Sequence, residues 1–372
     1  MFASNVTLIN QGVKCCLVVL MTLLTSLPSA SNMSVRAAPA YTDVSGPIIS
    51  DTTWTLANSP YIVIANVEVW QGVTLTIQPG VVIKFNKEKL LQVAGALIAR
   101  GVAANPITFT SNQASPAKGD WKHIKFVNSS VDATFDSGGN YSGGSILEYC
   151  IVEYGGDGVS GAVVEGAVET VCASPLIDHC TVRNNQSRGI TAVGTSNTPA
   201  VIRNNTVSGN SGINGIFTSG GGGIAGNYSS VTGNIIRGNS TKWSSDGGGL
   251  IASHSVVTGN IISDNSAPGG YGGGIIASHS VVMGNTISGN SAEWGGGIYD
   301  DEGTVMNNIL SGNSAAFGGG IHANRSTVKG NIISGNSASH SGGGVSANLF
   351  GGFNGGAMIS NTITANSLTL ID

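Results

Sequence analysis

One pattern is written three times with little change, in Gly284-Asn-Thr-Ile-Ser-Gly-Asn290, Asn307-Asn-Ile-Leu-Ser-Gly-Asn313 and Gly330-Asn-Ile-Ile-Ser-Gly-Asn336. Each line is followed by a short variable loop and a glycine-rich corner that ends in an apolar residue. The corner residues lie 25, 23, 23 and 24 positions apart: Leu250, Ile275, Ile298, Ile321 and Val345. A period of this length is typical of one turn of a solenoid. The strict repeat covers residues 221–366.

Each line carries a short run of β-branched residues bounded by Gly, Asn and Ser. Such runs indicate strands, because no stretch sustains an apolar period of 3.6 residues. A strand this short cannot bury its apolar face alone, but stacking of successive coils lets each strand pair with those above and below. The sequence therefore predicts an all-β parallel β-helix with about 23–26 residues per coil. One apolar residue per coil should form an inner column: Ile236, Ile262, Ile287, Leu310, Ile333 and Ile363.

Two sets of asparagines recur at fixed places in the repeat. Asparagine tolerates left-handed backbone geometry, and its amide can bond the same residue one coil away. The sequence therefore predicts two asparagine ladders. The first contains Asn205, Asn234, Asn260, Asn285, Asn308, Asn331 and Asn361. The second contains Asn185, Asn210, Asn239, Asn265, Asn290, Asn313, Asn336 and Asn366.

The composition limits the class of partner. Only 10% of the 372 residues are charged, and the net charge is -4 with no basic stripe, which argues against nucleic acid. An apolar fraction of 41% is ample for a long core. The 56 glycines recur at fixed positions, so the chain is not a disordered glycine-rich tract.

Residues 1–40 are predicted to be a signal peptide. Lys14 precedes an apolar run from Cys15 to Leu24, and small residues ending in Ala40 favour cleavage before Tyr41. Nothing later approaches 18 consecutive apolar residues, so no membrane span is expected. Residues 41–110 are predicted to be an N-terminal cap with the first irregular coils, and residues 111–372 the β-helix repeats. The apolar C-terminus, from Leu368 to Asp372, suggests either a protein partner at an uncapped end or an incomplete reading frame.

Two of the three later cysteines share one place in the repeat. Alignment of the lines around Cys150 and Cys180 puts both in the column of the first asparagine ladder. Neighbouring coils would bring their backbones within disulfide reach. A disulfide and a stack of buried free thiols are both compatible with this alignment.

The phrases Trp121-Lys-His-Ile-Lys-Phe126 and Leu147-Glu-Tyr-Cys-Ile-Val-Glu-Tyr-Gly-Gly156 resemble those of secreted bacterial right-handed parallel β-helix proteins with the pectate-lyase-like fold. The stretch Ile287-Ser-Gly-Asn-Ser-Ala-Glu-Trp-Gly-Gly-Gly-Ile-Tyr299 is similar to the repeats of chlamydial polymorphic outer membrane proteins. The resemblance implies a right-handed coil. This chain has Gly-Gly-Gly-Ile in place of their Gly-Gly-Ala-Ile. The calcium-binding aspartates and catalytic Arg or Lys of the pectate lyases have no matching motif here.

A column of charged and polar residues follows the glycine corners. It contains His279, Glu302 and Arg325, with Asp301 one place earlier, so these four should gather within three coils. A carboxylate beside His and Arg is suited to general acid–base catalysis on a glycan. Asp300, Asp301 and Glu302 together form a candidate Ca²⁺ site, the only cofactor that the sequence suggests. The alternative is a solvated edge on which the sequence varies freely.

A second column is aromatic and stands directly before the glycine corners. It contains Tyr271, Trp294 and Phe317, with Trp243 in a longer loop nearby. Rings in a row can stack on sugar rings. They can also pack over the bare backbone of the glycines.

These observations favour a secreted or cell-surface β-helix that presents a stacked surface for glycan binding or adhesion and is not an enzyme. The competing interpretation is a polysaccharide lyase or glycoside hydrolase that uses His279, Asp301, Glu302 and Arg325. A third is a purely structural adhesion module. The expected partner is a polysaccharide or cell-surface glycan, and the enzyme interpretation rests on fold analogy alone.

Overall fold

One turn of the chain, from Val256 to Ser278, shows how the repeat folds. Four short strands follow one another around the coil: Val256–Thr258, Ile261–Ser263, Ser266–Tyr271 and Ile275–Ser278. Each pairs in parallel with the equivalent strand of the next coil. The predicted period is confirmed, because Leu250 pairs with Ile275, Ile275 with Ile298, and Ile298 with Ile321. The all-β parallel β-helix is therefore confirmed.

The structure is a computed structural model that describes residues 41–156, 159–160, 163–164, 166–212, 221–241, 247–348 and 356–368. The predicted signal peptide and Trp243 lie outside these residues. Among the residues described, the only helical element is a 3-10 turn at Leu56–Asn58. No helix in the described part of the chain is long and apolar enough to cross a membrane.

The coils build four parallel sheets, which we number in the order in which one coil passes through them. Sheet 1 contains Thr52–Trp54, Thr74–Ile77, Ala96–Arg100, Ile146–Glu148, Leu176–Asp178, Ala200–Arg203, Ser229–Thr232, Val256–Thr258, Val281–Met283, Thr304–Met306, Thr327–Lys329 and Ala357–Ile359. Sheet 2 contains Val82–Phe85, Ile107–Ser111, Cys150–Glu153, Thr181–Arg183, Thr206–Ser208, Ile235–Arg237, Ile261–Ser263, Thr286–Ser288, Ile309–Ser311, Ile332–Ser334 and Thr362–Thr364.

Sheets 3 and 4 complete the coil. Sheet 3 contains Ser211–Gly212, Ser240–Thr241, Ser266–Tyr271, Ser291–Trp294, Ser314–Phe317, Ser337–Ser341 and Ser367–Leu368. Sheet 4 contains Leu91–Val93, Ile124–Phe126, Gly166–Val171, Arg188–Val193, Ile224–Asn227, Leu250–Ser253, Ile275–Ser278, Ile298–Asp301, Ile321–Asn324 and Val345–Asn348. The longer strand Tyr61–Val69 pairs with Val82–Phe85 of sheet 2 and with Leu91–Val93 of sheet 4, and Thr42–Ile48 pairs along its other edge. Two hairpins project from the coils: Thr134–Phe135 with Tyr141–Gly143, and Val159–Ser160 with Val163–Val164.

Alternation along each strand places one apolar residue inside and its neighbours outside. Val257 and Ile262 are fully buried, whereas the adjacent Val256 and Ile261 are about half exposed. Successive coils repeat the inner residue, so aliphatic side chains form continuous columns. Ile363 continues the sheet 2 column by its pairing with Ile333, yet it is 45% exposed because no described strand covers the last coil.

Both asparagine ladders are confirmed. Asn285 is typical: its side-chain oxygen accepts from the Asn260 backbone N–H and side-chain amide, each at 2.9 Å. Its own amide donates to the Val257 carbonyl at 3.0 Å and to the Asn308 side-chain oxygen at 2.9 Å. From Asn205 to Asn366 the ladders thus satisfy buried polar groups at two corners of each coil, which offsets the cost of burying them.

Cys150 and Cys180 occupy the first ladder's column, as the alignment predicts. The Cys180 backbone N–H donates to the Asn205 side-chain oxygen at 2.8 Å. Its thiol lies 3.3 Å from the carbonyl oxygens of Leu147 and Asp178, and so replaces the asparagine amide as a weak donor. Both cysteines are buried and free. The structure therefore has the stack of buried thiols at these two positions.

Candidate functional site

The four charged residues predicted to gather do so at the corner between sheet 4 and sheet 1. The Nε2 atom of His279 lies 2.9 Å from a Glu302 oxygen. The Nη2 atom of Arg325 lies 2.9 Å from Glu302 and 3.0 Å from Asp301. His279, Glu302 and Arg325 each sit at positive φ in successive coils, so the same tight turn presents all three side chains outward.

The same corner continues toward the N-terminus as a stack of rings. The rings of Tyr228 and His254 lie 5.0 Å apart, and those of His254 and His279 lie 5.1 Å apart. The charged residues are thus one end of a continuous column of side chains along this corner and not a separate cluster.

The charged groups of this corner are exposed and engaged with one another. The hydrogen bond that Arg325 donates to the Asp301 carboxylate raises the pKa of Arg325 above its ordinary value. Side-chain exposure is 49% for His279 and 39% for Glu302, so solvent screens these pairs. A general acid or base works best in a concave, desolvated setting. This corner therefore combines residue types suited to acid–base chemistry with side chains that solvent reaches.

The three carboxylates proposed for Ca²⁺ do not converge. Asp300 points into the core and is fully buried, whereas Asp301 points outward from the next position of the same strand. Asp300 takes the inner place that Ala277 and Ala323 hold in the adjacent coils. Within the part of the chain that the structure describes, no group of three or more His, Cys, Asp or Glu side chains is arranged to hold a metal ion.

The predicted aromatic column is a stacked ladder at the end of sheet 3. Tyr271 pairs with Trp294, and Trp294 with Phe317, at the last strand position before each glycine corner. Their ring centroids lie 6.2 Å and 4.0 Å apart. His340 extends the ladder, with its ring 5.0 Å from Phe317.

A second row of rings, which the sequence reasoning missed, faces this ladder from sheet 4. Tyr299 and His322 stack at 5.4 Å. Tyr299 meets Tyr271 edge-on at 4.7 Å, and His322 meets Trp294 edge-on at 5.1 Å. Both follow the apolar corner residue by one position, where other coils have Ile251 or Ile276. An aromatic ring at a position where neighbouring coils have isoleucine is the sequence signal that could have predicted this second row.

The two rows enclose a depression of about 200 Å³. It is lined by Tyr271, Trp294, Tyr299, His322, Asn324 and Asn348, which we call the aromatic depression. Burial lowers the pKa of His322, so its imidazole is neutral near pH 7. Its Nδ1 atom has no hydrogen-bond partner among the described residues. Asn324 donates to Asp301 at 2.7 Å, which fixes its amide at the rim. The aromatic depression thus offers flat apolar faces beside polar groups.

A comparison with family models agrees with the fold. Residues 46–169 match the family model described as Pectate-lyase like beta helix domain. An 88-residue stretch is 36% identical to Protein bark beetle of Drosophila melanogaster; it covers 23% of this chain and only 3% of that relative's length.

Among solved structures, the chain is similar to the Azotobacter vinelandii mannuronan C-5 epimerase AlgE4 A-module, with 13% identity, a TM-score of 0.34 and coverage of 89% of both chains. It is also similar to a GH136 lacto-N-biosidase from Eubacterium ramulus, with 10% identity, a TM-score of 0.31 and coverage of 81% of this chain and 63% of that one. The chain is a parallel β-helix protein whose residues 46–169 match the pectate-lyase like beta helix domain.

Proposed function

We propose that this protein binds glycans at the aromatic depression and is a binding or adhesion protein, not an enzyme. The observation that carries the proposal is the meeting of two aromatic rows from neighbouring sheets. A single row of rings needs no ligand to explain it, because the rings can cover the bare backbone of the glycine corners. Two rows that face one another leave ring surfaces on either side of a depression that a ligand can enter.

The chemistry of the aromatic depression suits sugars. A pyranose ring has an apolar face, which stacks on an aromatic ring, and a rim of hydroxyl groups, which need hydrogen-bond partners. Trp294 and Tyr299 supply the apolar surfaces, and Asn324, Asn348 and His322 supply polar groups at one side. The volume is below the roughly 300–1,000 Å³ of pockets for drug-sized ligands, so one or two sugar units would fill it.

The charge arrangement supports binding over turnover. None of the described residues that line the aromatic depression is a carboxylate. Asp301, which accepts from the lining residue Asn324, already pairs with Arg325 at 3.0 Å. Glycoside hydrolysis needs two carboxyl groups that flank the bond to be broken. A secreted or cell-surface location, typical of the β-helix fold, is part of this proposal.

Glycan binding by two tryptophan variants tests the proposal. Trp294→Ala removes one wall of the aromatic depression, and Trp70→Ala removes a tryptophan that is 49% exposed elsewhere. Glycan-array screening and calorimetry should show a loss of about tenfold or more for Trp294→Ala, equivalent to the roughly 1.4 kcal/mol of one stacked ring. Trp70→Ala should bind like the wild type. Equal binding by wild type and Trp294→Ala, with both folded, would overturn the proposal.

Turnover of the same glycans separates binding from catalysis. An Asp301→Ala, Glu302→Ala double variant removes both carboxylates of the exposed corner; it keeps both rows of rings but removes the acceptor of the Asn324 amide. The proposal expects no product from either protein and binding that persists in the double variant. Product formed by the wild type and lost in the double variant would replace binding with catalysis.

A further inference from the structure

The outer face of sheet 4 carries two parallel rows of side chains that differ in chemistry. Successive strands from Ile224–Asn227 to Val345–Asn348 build it, and each strand contributes its second and fourth residues. The second residues form a mainly apolar and aromatic row: Ala225, Ile251, Ile276, Tyr299, His322 and Ser346. The fourth residues form a polar row: Asn227, Ser253, Ser278, Asp301, Asn324 and Asn348. We call the two rows together the sheet 4 strip.

The chemistry of the strip is constant along the coil axis and changes across it. Neighbouring strands lie about 4.8 Å apart, so the strip extends over roughly 24 Å. The two outward residues of one strand are separated by about 7 Å, twice the rise per residue. A ligand that runs parallel to the axis therefore meets the whole apolar row on one side and the whole polar row on the other. A ligand that crosses the strip meets only one residue of each.

The strip has a depression toward each end. Strip residues that line the aromatic depression are Tyr299, His322, Asn324 and Asn348. Strip residues that line part of a second depression, of about 220 Å³ and toward the N-terminus, are Ala225, Asn227, Ile251 and Ser253. Ile276 and Ser278 lie between the two depressions, and both are partly exposed. One ligand can therefore contact both depressions along a continuous surface.

The polar row has hydrogen-bonding capacity beyond what the fold uses. The hydroxyl groups of Ser253 and Ser278 each lie 3.0 Å from Nδ1 of the histidine that follows. A hydroxyl group has one donor and two acceptor positions, so one such contact leaves others. Asn324 donates one of its two amide hydrogens to Asp301. The Asn227 side-chain oxygen is buried without a hydrogen-bond partner within the described ranges. The row can thus bond hydroxyl groups at several points along a ligand.

The charges at the strip are matched within the protein. Asp301 is the one acidic residue of the strip, and it pairs with Arg325 at 3.0 Å. Arg325 also pairs with Glu302, at 2.9 Å. Arg188 borders the second depression and interacts electrostatically with the Glu169 carboxylate. Both guanidinium groups beside the strip are therefore already engaged with carboxylates, and this arrangement favours an uncharged ligand over an anionic one.

We propose that the sheet 4 strip binds a linear, uncharged polysaccharide lengthwise, with the aromatic depression as one of several subsites. This inference rests on the proposed function and specifies its ligand: the interior of a polymer and not a single terminal sugar. The apolar row packs against the faces of successive sugar rings, and the polar row bonds the hydroxyl groups along one edge.

Calorimetry with oligosaccharides of two lengths tests the strip. The probes are the disaccharides and hexasaccharides of cellulose, laminarin, mannan and xylan, together with hexasaccharides of polygalacturonate and sulfated cellulose. At least one neutral hexasaccharide should bind the wild type about tenfold or more tightly than its own disaccharide, because the added ring and hydroxyl contacts contribute that much. Both acidic hexasaccharides should bind more weakly than this neutral one, whose affinity should not change with salt.

A variant at the far end of the strip separates the subsites. Asn227→Ala with Ile251→Ala changes outward residues two to three strands away from Tyr299. It should lower the affinity for the neutral hexasaccharide about tenfold and leave that for the disaccharide unchanged. Ile261→Ala with Ser263→Ala is the matched control, because it truncates an apolar and a polar outward residue of sheet 2. The control should bind both oligosaccharides like the wild type.

The two proposals fail in different ways. Hexasaccharides that bind the wild type no better than disaccharides overturn the strip and leave the aromatic depression standing. The same follows if an acidic hexasaccharide binds most tightly, or if the folded Asn227→Ala, Ile251→Ala variant keeps full hexasaccharide affinity. A Trp294→Ala variant that binds every probe like the wild type overturns the proposed function itself. Wild-type protein that binds none of the probes overturns both. Circular dichroism of each variant confirms that it is folded.

Discussion

Asp300 occupies the space that a serine side chain takes in the neighbouring coils, because Gly303 replaces that serine. Ser280 and Ser326 hold the equivalent position on either side, and a Cβ atom at Gly303 would overlap the Asp300 carboxylate. One coil has thus exchanged an inner alanine and serine for an inner aspartate and glycine. The Ser326 hydroxyl and Gly303 amide lie near the carboxylate, but neither makes a hydrogen bond of good geometry with it.

The buried Asp300 should make the stability of the protein fall as pH rises. Burial raises the pKa of Asp300 from 3.8 to about 7. Between these values the folded state holds a proton that the unfolded state has released, so the free energy of unfolding decreases with pH. The loss is complete above about pH 7 and amounts to at most about 4 kcal/mol. Urea midpoints of the wild type and Asp300→Asn, measured from pH 4 to 8, should diverge, with the variant more stable at pH 8.

Asp301→Asn is the matched control for this pH series, because it changes an outward-pointing carboxylate of the same strand and leaves Asp300 in place. The fall in stability that Asp300 causes between about pH 4 and 7 should therefore persist in Asp301→Asn. A constant difference between Asp300→Asn and wild type from pH 4 to 8 would contradict a buried carboxyl that titrates.

A double-mutant cycle should show that Asp300 and Gly303 are coupled. Gly303→Ser alone forces a side chain against the carboxylate and should cost about 1–3 kcal/mol of the free energy of unfolding. With Asp300→Ala also present, the coil regains the alanine and serine of its neighbours. The new hydroxyl could then accept from the Ser280 backbone N–H, as Ser280 does from Ser255 at 3.1 Å. The double variant should be at least as stable as the wild type, and additive losses would contradict the exchange.

The asparagine ladders should be sensitive to a single truncation. Asn285→Ala removes the acceptor of two Asn260 donors and leaves buried groups unpaired on both sides. We expect a cost of about 3 kcal/mol or more, because each unpaired buried group costs about 1–3 kcal/mol. Thr286→Ala, at the adjacent exposed position, should change stability by less than about 0.5 kcal/mol. Similar urea midpoints for the two variants would contradict a structural role for the ladder.

The parts of this fold that the sequence predicts are those that repeat. Identical residues at a fixed period must stack, so the ladders and the aliphatic columns follow once the period is known. Features found once are harder to place. Tyr299 and His322 replace isoleucines in two coils. Asp300 lies inward because it is two positions from the buried Ile298 on the same strand, whereas Asp301 points outward. The candidate Ca²⁺ site placed these two carboxylates together.

The exposed corner should contribute little to stability. Glu302→Gln removes its ion pairs with His279 and Arg325, but these side chains are roughly two-fifths to half exposed. We therefore expect a change of less than about 1 kcal/mol in the free energy of unfolding, and a smaller one at high salt. A loss above about 2 kcal/mol that persists in 1 M salt would show that these pairs are more desolvated than their exposure implies.

The three described cysteines should react at very different rates with iodoacetamide. Burial, reinforced by the neighbouring Cys180, raises the pKa of Cys150 well above its ordinary value, and both thiols are buried in the ladder column. Cys172 is exposed. Because the thiolate is the reactive form and needs access, Cys172 should be alkylated at least about tenfold faster in the folded protein. Peptide mapping after labelling with and without urea checks this. Recovery of Cys150 and Cys180 as one cross-linked pair of peptides would contradict this prediction and would show that the two residues form a disulfide. Their thiols could then not donate the weak hydrogen bonds that replace those of the asparagine amides.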